Sequence, residues 1–71
     1  MIDWTRCADV ERHPEKLGGV WCVKGHRVPV QAILDNADAG ATPEQIAGPE
    51  IFPSLTVEQV RRILAFAAAQ R

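Results

Sequence analysis

Thr56-Val57-Glu58-Gln59-Val60-Arg61-Arg62-Ile63-Leu64-Ala65-Phe66-Ala67-Ala68-Ala69 decides how the rest of this chain is read. Val57, Val60, Ile63, Leu64, Ala67 and Ala68 recur at helical spacing; at about 100° per residue they fall within an arc of about 140°. Thr56 with Gln59 three positions on is a capping box: the hydroxyl accepts from the Gln59 backbone N–H, and the Gln59 side chain reaches back. The alanines of the tail are the best helix formers. Phe66 falls outside the apolar arc, beside Gln59 and Arg62. The stretch is an amphipathic helix that needs other elements to cover its apolar face.

Those elements are sought upstream. Glu50-Ile51-Phe52-Pro53-Ser54-Leu55 reads as a connection, kept irregular by proline, with Ile51, Phe52 and Leu55 available to plug the core. Before it, Thr42-Pro43-Glu44-Gln45 is another capping box, and the helix it starts is halted early by Gly48-Pro49. Pro29 suits a first helical turn, and Val30, Ile33, Leu34 and Ala37 follow with helical period to about Asp38. Gly40 offers a left-handed exit. Val20-Trp21-Cys22-Val23 reads as a strand apolar on both faces. Lys24-Gly25-His26 turns it back through Arg27-Val28 into a compact hairpin. Residues 1 to 19 show no apolar period and read as irregular chain with a short edge strand near Val10.

The expected architecture is mainly α: three helices in a helix-turn-helix-like arrangement behind a short β-hairpin. It occupies a single domain over residues 1–71, divided at 28/29 between the N-terminal part with the hairpin and the three-helix region. With 71 residues, of which 46% are hydrophobic and 24% charged, the chain is an ordinary globular domain. A core this small rarely supplies more than roughly 3–5 kcal/mol, so a partner chain is expected to add stability, and a homodimer is the simplest form. The apolar stretches are too short for a membrane span. Met1-Ile2-Asp3-Trp4-Thr5-Arg6 lacks the basic opening and apolar run of a secretory signal. A cytoplasmic location is expected, with both cysteines reduced and a Cys7–Cys22 disulfide disfavoured.

Chemistry-bearing groups are sparse. Cys7, His13, Cys22 and His26 invite a zinc reading, but structural zinc sites take ligands in close pairs from tight knuckles, and Cys22 sits in an apolar strand. No metal is expected. Ser54 is the only serine, no nucleophile motif is present, and the glycines do not form a phosphate-cradling loop. The chain reads as a non-enzyme without cofactor or small-molecule substrate.

Two binding readings remain. Trp21, Phe66 and Trp4 are large rings that a thin core could leave uncovered as interface anchors, or could enclose. A capped short helix, a turn and a capped longer helix also form a layout used to read DNA. In that layout Gln59 would pair with adenine, and Arg61 or Arg62 with guanine or phosphate. The formal net charge of -1 argues against strong phosphate binding.

Ile2-Asp3-Trp4, Pro14, Gly18-Gly19, Gly25-His26-Arg27-Val28-Pro29-Val30, Gly40-Ala41-Thr42, Ile46 and Pro53-Ser54-Leu55-Thr56 together resemble the domain of unknown function 433 family. The most specific part is the Gly-x-Arg-hydrophobic-Pro-hydrophobic turn into the first helix. The resemblance implies a small bacterial or archaeal protein of winged or homeodomain-like helix-turn-helix fold. Such proteins are often encoded beside a PIN-like nuclease toxin and assigned as its antitoxin, and no catalytic residues are carried over. His26 stands where the family usually has Thr, and Gly48-Pro49 interrupts what is normally one continuous helix. The expectation is therefore a dimer that blocks a PIN-like nuclease by contact, with Trp21, Val23, Arg27 and Phe66 at the partner or dimer surface and Arg27 or Arg62 entering the acidic cleft. The rival is a DNA-binding regulator acting through Gln59, Arg61 and Arg62.

Overall fold

A computed structural model describes residues 2–12 and 19–70. A single 3-10 turn, Trp4–Arg6, comes first. It is followed by strands β1 (Val10–Arg12) and β2 (Trp21–Val23), then helices α1 (Val30–Asp38), α2 (Pro43–Ile46) and α3 (Val57–Ala69). A two-stranded antiparallel sheet thus precedes three helices, as the sequence predicts at that level.

The sheet differs from the expected hairpin in one respect. β2 pairs with β1, in the register Val10 to Val23, Glu11 to Cys22 and Arg12 to Trp21. The return arm through Arg27 and Val28 is not a strand. It contributes the Val23 N–H to Val28 carbonyl bond at 2.9 Å and an isolated bridge between Cys22 and Pro29. Pro29 explains the brevity: it has no N–H to continue a ladder, and the chain turns into α1 there. The Lys24-Gly25-His26 turn itself forms as expected, with Gly25 at φ 80°.

α2 and α3 begin, and α1 ends, for the anticipated reasons, whereas Pro29, expected in the first turn of α1, is its extended N-cap. Thr42 and Thr56 each accept from the backbone N–H three residues on at 3.1 Å, and Gln45 and Gln59 return the bond. α1 closes in a Schellman motif, with Gly40 N–H to the Ala37 carbonyl at 3.0 Å and Ala41 N–H to the Asn36 carbonyl at 3.0 Å. Gly40 takes the left-handed conformation this closure requires, φ 101°. α2 stops after one turn. A Cβ on Gly48 would meet the Glu44 and Gln45 carbonyl oxygens at 3.1 and 3.2 Å, so glycine lets the chain double back over the helix end.

Val23, Ile33, Ile46, Val60 and Ile63 are fully buried, so β2 and all three helices contribute to one core. Leu55 is buried beside it and Phe52 packs against it from the connection before α3. The buried arc of α3 is displaced from the predicted one. Val60, Ile63 and Ala67 are its centre, Ala68 is exposed, and Phe66 is half-buried. The cause lies in the N-terminal segment, where Trp4 and Cys7 are each only 8% exposed. Trp4 stacks on Phe66 with ring centroids 5.6 Å apart and planes within 25°. Residues 2–9, expected to be irregular, form a strap that covers the Phe66 flank of α3.

Candidate partner-binding surface

The surface is built on β1 and β2. Alternation along a strand puts Val10 and Arg12 on one face of β1, and Val23 and Trp21 on the same face of β2. Val10 and Val23 reach the core. Arg12 and Trp21, directly opposite each other, overhang its edge. There the Arg12 guanidinium carbon lies 5.8 Å from the Trp21 ring centroid, and the indole is half-buried beneath a cation. Val20, next in the chain, is 45% exposed, the one large hydrophobic residue so exposed among the described residues.

The turn at the far end of β2 is held from β1. Glu11 Oε2 accepts from the Gly25 N–H at 2.7 Å, and the Asp9 carbonyl accepts from the Lys24 N–H at 2.8 Å. Just past it, Arg27 is exposed and makes no hydrogen bond or ion pair to the described residues. It follows the Lys24-Gly25-His26 turn, beyond the end of β2.

The other expected surface residues fall elsewhere. Val23 is entirely enclosed and supports the surface from beneath, a correction to its expected place at a partner surface: its period-two position puts it on the core face. Phe66 belongs to the Trp4 stack on α3. All three DNA-reading candidates are engaged within the chain. The Gln59 Oε1 serves the Thr56 cap, Arg61 pairs with Glu44 of α2, and Arg62 grips Asp9. The hydrogen bonds and charge of Asp9 push the Arg62 pKa above its ordinary value. Its own backbone N–H, and then Arg61, hold the Glu44 carboxyl below the usual range.

Of the zinc candidates, Cys7 and Cys22 are buried free thiols, and His13 lies outside the described residues. Burial pushes the Cys22 thiol up, and the Glu11 carboxylate adds to it. Among the described residues no three His, Cys, Asp or Glu side chains converge as a metal would need. No helix there is long and apolar enough to cross a membrane. An open groove of about 610 Å³ lies between the ends of α1 and α2, lined by residues such as Ala41, Glu44, Pro49 and Ile51.

Sequence reasoning missed Arg12, Val20 and Asp9. The register that sets Arg12 over Trp21 comes from pairing between segments separated by residues 13–20 in the sequence. Asp9 could have been suspected only from Arg62 and Phe66 sharing a helix flank with no evident cover.

The chain is thus a small, mainly α-helical domain with a two-stranded sheet and an aromatic-cationic ledge. The family described as "Protein of unknown function (DUF433)" matches residues 10–67, and the chain is a member of it. No curated protein and no solved structure matches it.

Proposed function

We propose that this protein is a non-enzymatic, antitoxin-like binding module that neutralises a PIN-like nuclease by contact, acting as a homodimer in the cytoplasm. One observation carries the reading. The β1–β2 ledge presents Trp21 under Arg12 beside exposed Val20, with Arg27 unengaged among the described residues at the far end of β2. Aromatic and arginine side chains are the commonest interface anchors. A PIN-like nuclease holds its metal among carboxylates, and a free guanidinium on a rigid turn is suited to enter such a cleft and exclude RNA. Arg27 fits this part better than Arg62, whose charge is already spent on Asp9. Co-expression with the product of a neighbouring PIN-like gene tests the proposal. Co-elution and rescue of growth are expected, with both lost in Arg27→Glu; failure of the wild type to co-elute removes it.

A second reading is DNA binding through α2 and α3 in a helix-turn-helix role, favoured by the two capping boxes that fix the starts of both helices, ten residues of connection (47–56) lying between them. Anisotropy with a duplex of the gene's own promoter at two salt concentrations tests it, since binding must weaken as salt rises.

A further inference from the structure

The strap of residues 2–9 shows what its site on α3 accepts. An aromatic ring lies on Phe66 at 5.6 Å. A carboxylate takes both prongs of Arg62, at 2.9 Å from Nε and 2.8 Å from Nη2. A ring stacked on phenylalanine and an oxyanion held two-pronged by arginine are also the two contacts by which proteins hold a nucleotide: base on aromatic, phosphate on guanidinium. Trp4 and Cys7 of the strap are core residues, each 8% exposed, so side chains fasten it. Among the described residues its backbone makes few bonds to the rest of the chain: Cys7 N–H donates to the Trp4 carbonyl at 3.1 Å within the segment, and the Asp9 carbonyl accepts from the Lys24 N–H at 2.8 Å. The Arg62 side chain is 58% exposed. Arg62 and Phe66 lie within the residues that the family model matches.

We infer that the Arg62–Phe66 flank of α3 is a binding site for single-stranded nucleic acid, and that residues 2–9 occupy it in cis as an aromatic-acidic mimic that must be displaced. The inference rests on the nucleic-acid reading above. It adds a ligand form, a site and an intramolecular competitor to that reading.

The test is fluorescence anisotropy with a labelled mixed-sequence oligonucleotide of about 12 nucleotides, a length in the range single-strand sites cover. It compares wild type with Asp9→Asn, Trp4→Ala and Asp9→Asn/Arg62→Ala. Asp38→Asn, on α1, is the control for loss of one negative charge. Asp9→Asn leaves Trp4 in place and keeps the test valid should Trp4→Ala unfold; circular dichroism checks each variant. Asp9→Asn is expected to bind at least about threefold tighter than wild type and Trp4→Ala about tenfold, since one stacked base contributes on that order. Adding Arg62→Ala should abolish the gain. A folded Asp9→Asn no tighter than wild type overturns the inference, as does an equal gain in Asp38→Asn. If the promoter duplex nonetheless binds, the helix-turn-helix reading survives and the strap's role does not. If neither duplex nor single strand binds any variant, both fall.

Discussion

Arg62 of α3 holds the carboxylate of Asp9, 53 residues away, with Nε on Oδ2 at 2.9 Å and Nη2 on Oδ1 at 2.8 Å. This clasp and the Trp4–Phe66 stack fasten the first described segment to the last helix. They determine which side of α3 faces solvent, so they are the natural place to probe both stability and surface.

The clasp is partly open to water, with the Arg62 and Asp9 side chains 58% and 18% exposed, so its strength is that of a half-exposed pair. Arg62→Ala should lower the urea midpoint slightly at low salt. In a double-mutant cycle with Asp9→Ala, the coupling energy should shrink by more than half at 1 M salt, roughly where the screening length falls to 3 Å. An undiminished coupling would mean the two prongs act through geometry rather than charge.

Trp4 is buried and Phe66 half-buried, so their truncations should differ. Trp4→Ala is expected to remove about 3 kcal/mol and Phe66→Ala about 1–2 kcal/mol, with coupling near 1 kcal/mol for the stacked pair. Chemical denaturation followed by far-ultraviolet dichroism measures all three.

Each capping box satisfies helix N–H groups that the turn leaves without partners. Thr42→Ala and Thr56→Ala should each cost about 1 kcal/mol, and Thr→Ser should retain most of it. Amide exchange at Gln45 and Gln59 should quicken first in the respective variants, because those N–H groups lose their acceptor.

The Glu44 carboxyl is held below its ordinary value of 4.5, and that of Asp3 below 3.8 by the Thr5 hydroxyl and N–H. A depressed carboxylate stabilises the folded chain above the unfolded-state value, and the contribution disappears as pH falls through the lower folded value. Melting temperature should therefore drop between about pH 5 and pH 3, and Glu44→Gln should flatten that slope. For Cys22 the direction reverses: its raised thiol leaves stability intact below the ordinary value of 9.0 and erodes it as pH climbs beyond.

Gly25 has open space around its Cα but sits at φ 80°, so only the backbone conformation resists a side chain. Gly25→Ala should cost about 1–2 kcal/mol, while Gly25→Asn, which tolerates that conformation, should cost visibly less. Thermal melts of the two variants check the difference.

The helices were legible because their signals are local: a threonine, a glutamine three places on, and a glycine after the last apolar residue. Even the brevity of α2 could be read from Gly48-Pro49. The partner of β2 was misread because the nearer arm, Arg27-Val28, looked like a strand and Val10-Glu11-Arg12 carries too little alternation to compete. Pairing between segments that are not adjacent in the sequence leaves no mark in either one. The same holds for the surface. Trp21 stands out in the sequence as a ring too large for a thin core, but Arg12 above it follows only from register. Phe66 was seen to stand apart from the apolar arc, and nothing in Trp4 or Asp9 announces that they meet it.

The joining of Trp4 to Phe66 also bears on how the molecule comes into being. Bringing the indole onto the phenyl ring closes a loop of more than sixty residues, and loop closure of that length takes longer than forming a helical turn or a tight turn. Over that interval α1, α2 and the sheet can form from neighbours in the chain, but an apolar ring remains in water beside them. The final seal of the core is thus a long-range event, slower than the local ones and exposed to capture by other hydrophobic surfaces while it waits.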